Sequence, residues 1–122
     1  MNILLVEDEQ NLASTLKEGL ERDGHFVDIA GDGTDGVSKA EQLPNDVIIM
    51  DVILPVIDGL TTLSTLREKG IMTPVILLTA KDAVVDQTKI ADVVASDYQV
   101  GQRALGQLVS KVRSLLRKSF AS

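Results

Sequence analysis

Four short apolar runs are separated by stretches with helical spacing, and this alternation narrows the folds open to the chain. The runs are Ile3-Leu4-Leu5-Val6, Phe26 to Ala30, Val47-Ile48-Ile49-Met50 and Val75-Ile76-Leu77-Leu78. Each is four or five residues long and rich in β-branched residues, as expected of strands buried on both faces. Between them, Leu12, Leu16 and Leu20 recur at i, i+4, i+8 and predict a helix that stops near Asp23-Gly24. Val37, Ala40 and Leu43 mark a second helix closed by Pro44, and Leu60, Leu63 and Leu66 a third ending at Lys69-Gly70. The same spacing predicts a fourth helix over roughly 83–95 and a short fifth strand at Tyr98-Gln99-Val100. Leu105, Leu108, Val109, Val112, Leu115 and Leu116 give a final helix its apolar stripe. Five β-α units imply an α/β fold of the doubly wound, flavodoxin-like kind. It would be a (βα)5 sandwich around a central parallel five-stranded sheet, with right-handed crossovers.

The chain has 122 residues, a length that suits one domain over 1–122. It is 44% hydrophobic but only 2% aromatic, so the core must be built from Val, Ile, Leu and Ala. A net charge of −6 argues against a nucleic-acid surface on this domain. There are no cysteines, which excludes disulfides and thiolate metal sites. The apolar runs are too short to span a membrane, and no signal-peptide pattern opens the chain. A soluble cytoplasmic location without membrane contact is expected.

Three of the runs end in chemically useful residues: Glu7-Asp8, Asp51 and Thr79. In a doubly wound sheet of order 2-1-3-4-5, strands one, three and four are neighbours, and their C-terminal ends converge at the switch point where ligands bind. Glu7, Asp8 and Asp51 would then crowd about three negative charges together, which is costly without a cation. Oxygen-only ligands favour a hard cation, foremost Mg²⁺, which uses one or two carboxylates plus phosphate oxygens. Metal, carboxylate and hydroxyl together suit phosphoryl transfer. Taken singly, each acid is better read as a solvated loop residue; the sheet-adjacent set is what carries the argument.

The segments I-L-L-V-E-D-E, V-I-I-M-D-V-I-L-P-V-I-D-G and P-V-I-L-L-T-A-K-D resemble a bacterial two-component response-regulator receiver domain. The resemblance covers nearly the whole chain and is nearest to the OmpR-like class, fused to winged-helix transcription factors. It implies a phosphoprotein in which Asp51 accepts phosphate from a sensor histidine kinase. It further implies that Glu7 and Asp8 hold Mg²⁺ with Asp51 and the backbone carbonyl of Ile53. Thr79 would bond the acyl phosphate, and Tyr98 would be the aromatic switch on strand five. The implied output is transcription regulation through a changed helix 4-strand 5-helix 5 face, the surface by which the family dimerises. DNA would be reached only through an output domain outside this chain. No enzymatic activity is implied beyond Mg²⁺-dependent self-phosphorylation and dephosphorylation.

The chain also departs from the family. Where the family has Lys-Pro after strand five, this chain reads Gly101-Gln102-Arg103. The missing ammonium removes a charge-assisted hydrogen bond of about 1.5–3 kcal/mol, about ten- to a hundredfold in occupancy or rate. Lys81 and Arg103 are the cations nearest in sequence. Ile90, Val93 and Val94 add a second apolar stripe to the predicted fourth helix, which is read either as a wider core stripe or as an interface. These departures keep an alternative open, a pseudo-receiver that binds or dimerises without phosphorylation. A flavodoxin-like cofactor enzyme fits less well, because the turn after strand one is acidic where a phosphate-bearing cofactor needs glycines and backbone N–H groups.

Overall fold

The computed structural model describes residues 1–51, 54, 56–78, 113, 114, 116 and 117, together with the backbone of 93–96. Strands β1 (Asn2–Val6), β2 (Phe26–Ala30), β3 (Val47–Asp51), β4 (Val75–Leu78) and β5 (Val93–Ser96) form one parallel sheet of order β2-β1-β3-β4-β5. Helices α1 (Gln10–Arg22), α2 (Gly33–Gln42) and α3 (Gly59–Glu68) connect the first four strands. The expected strand order and the first four strands are therefore as read from the sequence.

Alternate residues of β1, β3 and β4 feed two cores, to which β2 adds Val27 and Ala30. Ile3, Leu5, Val47, Ile49, Ile76 and Leu78 pack with Leu12, Leu16 and Leu20 of α1 and with Leu116. Leu4, Val6, Ile48, Met50, Val75 and Leu77 pack with Leu63 and Leu66 of α3, backed by Val37 and Ala40 of α2. A period of two with both faces covered explains why the runs of β1, β3 and β4 are apolar, while the edge strand β2 carries Asp28.

Local chemistry sets the helix ends. In α1, Gly24 takes φ +88, its N–H donates to Glu21 O, and His25 N–H donates to Leu20 O. In α3, Gly70 takes φ +78, its N–H donates to Arg67 O, and Ile71 N–H donates to Leu66 O. Both are Schellman ends, which need a residue that adopts the left-handed region at no steric cost. Asp32 and Asp58 are N-caps, accepting from Asp35 N–H and Thr61 N–H. Gly31 and Asp32 lead into α2, with Asp32 as its cap. Gly33 is its first helical residue and lies so close to Thr62 and Ile57 that a Cβ would sit 2.3 Å from Thr62 Oγ1 and 2.8 Å from Ile57 O.

β2 is an edge strand, and its outward backbone groups at Ile29 are occupied by side chains. Ile29 N–H donates to Asp28 Oδ1, and Ile29 O accepts from Lys39 Nζ. Lys39 is held in place by Asp28 and Asp35, each 3.6 Å away.

One expectation is corrected. Residues 93–95 were expected within a fourth helix, yet Val93–Ser96 is β5, paired in register with β4 from Val75↔Val93 to Leu78↔Ser96. Val93 and Val94 therefore do not form a second apolar stripe on a helix. Two adjacent β-branched residues favour an extended backbone, and pairing with β4 satisfies their peptide groups. The strand expected at Tyr98-Gln99-Val100 lies outside the described residues. Of the final helix, residues 113, 114, 116 and 117 are helical, with Leu116 buried. Arg113 clips it to the end of α1 by a two-pronged ion pair with Asp23.

Val56, in the loop from β3 to α3, has φ +72 and a side chain 79% exposed. A β-branched residue in the left-handed region is strained by about 1–2 kcal/mol. Val56→Asn, which tolerates this region and removes little buried surface, is expected to stabilise the fold by about 1 kcal/mol. That corresponds to a rise in melting temperature of about 4 °C; an unchanged or lower melting temperature in a thermal scan would contradict the strain.

Candidate functional site

The register of β1 and β3 builds the site. Val6 lies opposite Met50, so the next residues, Glu7 and Asp51, emerge side by side at the C-terminal edge. Alternation places Asp51 on the face that α1 covers, with Val47 and Ile49. Asp8 follows Glu7 in the turn that enters α1. Glu7, Asp8 and Asp51 each offer a carboxylate oxygen, and these oxygens lie within 4.8 Å of one another. Glu7 and Asp51 are buried, at 3% and 8% exposure, while Asp8 is exposed.

Two buried carboxyl groups side by side cannot both ionise cheaply. Burial, then the charge of Asp51, pushes the Glu7 carboxyl up to about 9. The opposing influence is the Glu9 backbone N–H, which donates to Glu7 Oε1 at 3.1 Å. Glu7 Oε2 is buried with no hydrogen-bond partner among the described residues. A buried oxygen left in that state is costly, and a cation would satisfy it. The donor set, three carboxylates with one solvent-facing member, fits a hard divalent ion that retains water. With such an ion present, Glu7 would be ionised, because the ion inverts the local charge balance.

The structure thus brings together Glu7, Asp8 and Asp51. Ile53, Thr79 and Tyr98, the other expected site residues, lie outside the described residues, as do Lys81 and Gly101-Gln102-Arg103. Glu9 was missed by the sequence reading. Its carboxylate accepts from Asn11 N–H at 3.1 Å and from Leu12 N–H at 2.8 Å, so it caps α1. Glu is not among the favoured capping residues, and the available signal was only its place just before the Leu12 periodicity. His25 is partly buried with Nδ1 3.1 Å from the Met1 α-amine. Burial and that amine hold its pKa below the usual histidine range.

A parallel α/β sheet thus carries an acidic trio at the ends of two adjacent central strands, and sequence comparison identifies the family. The model of the response regulator receiver domain matches residues 3–113, and the chain belongs to that family. The transcriptional regulatory protein PcoR of Escherichia coli is 43% identical over 117 residues, covering 96% of this chain and 52% of PcoR. The response regulator ArlR of Staphylococcus epidermidis is 40% identical over 117 residues, covering 96% of this chain and 53% of ArlR. Among solved structures, the response regulator TrrA of Thermotoga maritima in complex with Mg²⁺-BeF has a TM-score of 0.71 at 30% identity, covering 94% of this chain and 98% of that one. The chain spans about half the length of the curated relatives it matches. Among the described residues, no helix is long and apolar enough to cross a membrane.

The raised Glu7 pKa has a definite sign. The folded, metal-free protein holds a proton on Glu7 that the unfolded chain releases near the ordinary value of 4.5. Stability contributed by this group is full below pH 4.5 and is lost as pH rises toward about 9. The slope is at most about 1.4 kcal/mol per pH unit. In EDTA, Glu7→Gln is therefore expected to resist urea better than the parent at pH 8 and to lose that advantage at pH 4.5. Equal pH dependence in the two proteins would show that Glu7 does not carry this charge burden.

Proposed function

We propose that this domain accepts a phosphoryl group on Asp51 from the phosphohistidine of a sensor histidine kinase, with Mg²⁺ held by Glu7, Asp8, Asp51 and the backbone carbonyl of Ile53. The observation that carries the reading is the buried Glu7–Asp51 pair, with Glu7 Oε2 unpartnered among the described residues and Asp8 alongside. An Asp51 oxygen attacks phosphorus in line, the phosphorus–nitrogen bond breaks, and the electron pair returns to the imidazole, which then takes a proton. Bound Mg²⁺ would supply the positive charge that neutralises the phosphoryl oxygens against the carboxylates. Asp51 is buried while Asp8, whose carboxylate lies within 4.8 Å, is exposed, so the trio reaches solvent on the Asp8 side.

Thr79, next along from Leu78 of β4, is the hydroxyl that would bond the acyl phosphate, and Tyr98 the aromatic group that responds. The output would be a change in the face formed by the segments after β4, leading to homodimerisation and transcription regulation in the cytoplasm. The names of PcoR and ArlR support a regulatory output, and the Mg²⁺-BeF complex of TrrA supports the metal and phosphoryl reading. Because the chain spans about half of its relatives, DNA binding would belong to an output domain elsewhere.

One observation favours a second reading, a module that associates without phosphorylation. Gly101-Gln102-Arg103 lacks the ammonium that the family places near the phosphoryl group. Acetyl phosphate with Mg²⁺, followed by intact mass measurement, separates the two. The phosphorylation reading expects one phosphoryl adduct that Asp51→Asn abolishes. It also expects Gly101→Lys to raise adduct occupancy or rate by about tenfold or more. An adduct that survives Asp51→Asn overturns the assignment to Asp51, and no adduct on the parent protein overturns phosphorylation altogether; concentration-dependent sedimentation without any phosphodonor then supports the second reading.

A further inference from the structure

A capped helix start usually places a Glu or Gln three residues after the cap, to accept from the cap's own backbone N–H. In α1 that position is Leu12, which cannot. The Glu9 N–H turns instead to Glu7 Oε1 at 3.1 Å, while the Glu9 side chain accepts from Asn11 N–H and Leu12 N–H. The helix cap and the buried carboxylate are therefore one hydrogen-bonded unit. Glu9 is held at φ −83, ψ 111 by these bonds and by Ala13 N–H donating to Glu9 O at 2.9 Å. One oxygen of Glu7 is taken by a neutral donor of fixed direction, and the other, Oε2, is buried with no partner among the described residues.

We propose that Glu9 is a positioning residue of the acidic pocket: by capping α1 with its side chain it holds its own backbone N–H on Glu7 Oε1 and leaves Glu7 Oε2 as the oxygen offered to a divalent cation. This rests on the cation reading given above. The effect runs through geometry rather than charge. Without the cap the first turn of α1 frays, the peptide between Asp8 and Glu9 loses its direction, and Glu7 can rotate away from the trio. A short, neutral capping residue such as Asn preserves the arrangement, since it is among the best at this position.

Mg²⁺ affinity, measured by calorimetry on the whole 122-residue chain, tests the proposal together with the Glu9 amide followed by NMR hydrogen exchange in the metal-free protein. Glu9→Ala is expected to weaken Mg²⁺ binding by about three- to tenfold, the size of one lost cap. Glu9→Asn is expected to stay within about twofold of the parent. Unchanged affinity in Glu9→Ala overturns the proposal, and so does Glu9→Asn falling as far as Glu9→Ala, which would make the effect one of charge. An unprotected Glu9 amide in the parent protein overturns it independently of any variant. A parent protein that binds no Mg²⁺ removes the cation reading as well, a failure distinct from one confined to Glu9.

Discussion

The parallel pairing of β1 with β3 is the constraint on which the site depends. Leu4 faces Ile48 and Val6 faces Met50, so the strands leave the sheet level with each other. A slip of one residue would turn every core side chain to the wrong face, and both faces are buried, so the register is firmly fixed. The same register delivers Glu7 and Asp51 as neighbours. Two carboxyls that would repel each other if both were ionised are held together by the burial of Ile3, Leu5, Val47 and Ile49 beneath α1. Apolar packing thus sustains an electrostatic arrangement that the acids would not adopt alone.

Most of this was legible in the sequence because each signal agreed with its surroundings. A four-residue apolar run ending in Asp51 can be little other than a central strand, and β3 ends at that residue. Leu12, Leu16 and Leu20 point one way on a helix, and all three are buried. The acidic trio followed from placing strand ends side by side. What was not legible depended on backbone detail. Nothing in the letter E announces that Glu9 caps α1, nor that Val56 adopts φ +72, where Gly or Asn would have signalled a turn. Val93 and Val94 fitted a helical stripe by spacing, yet their branching and the open side of β4 place them in a strand. A run of four residues is too short for periodicity to decide.

Around the site, rigidity and strain are divided unevenly. The Glu7 side is fixed by a helix cap and by Glu7 N–H donating to Ala30 O at 3.0 Å. The β3–α3 side contains Val56 in an unfavourable conformation, followed by the firm cap of Asp58, whose carbonyl also accepts from Thr62 Oγ1 at 2.7 Å. Strain of this kind persists where flanking structure overdetermines it. Here Asp51 and α3 fix both ends of a short connection.

At Ile29 the outward backbone of the β2 edge is already occupied by Asp28 and Lys39. An incoming strand pairing there would first have to displace both side chains, so this stretch of edge is a poor template for a second chain. The guard stands next to the pocket's own strand: Glu7 N–H donates to the O of Ala30, the residue after Ile29.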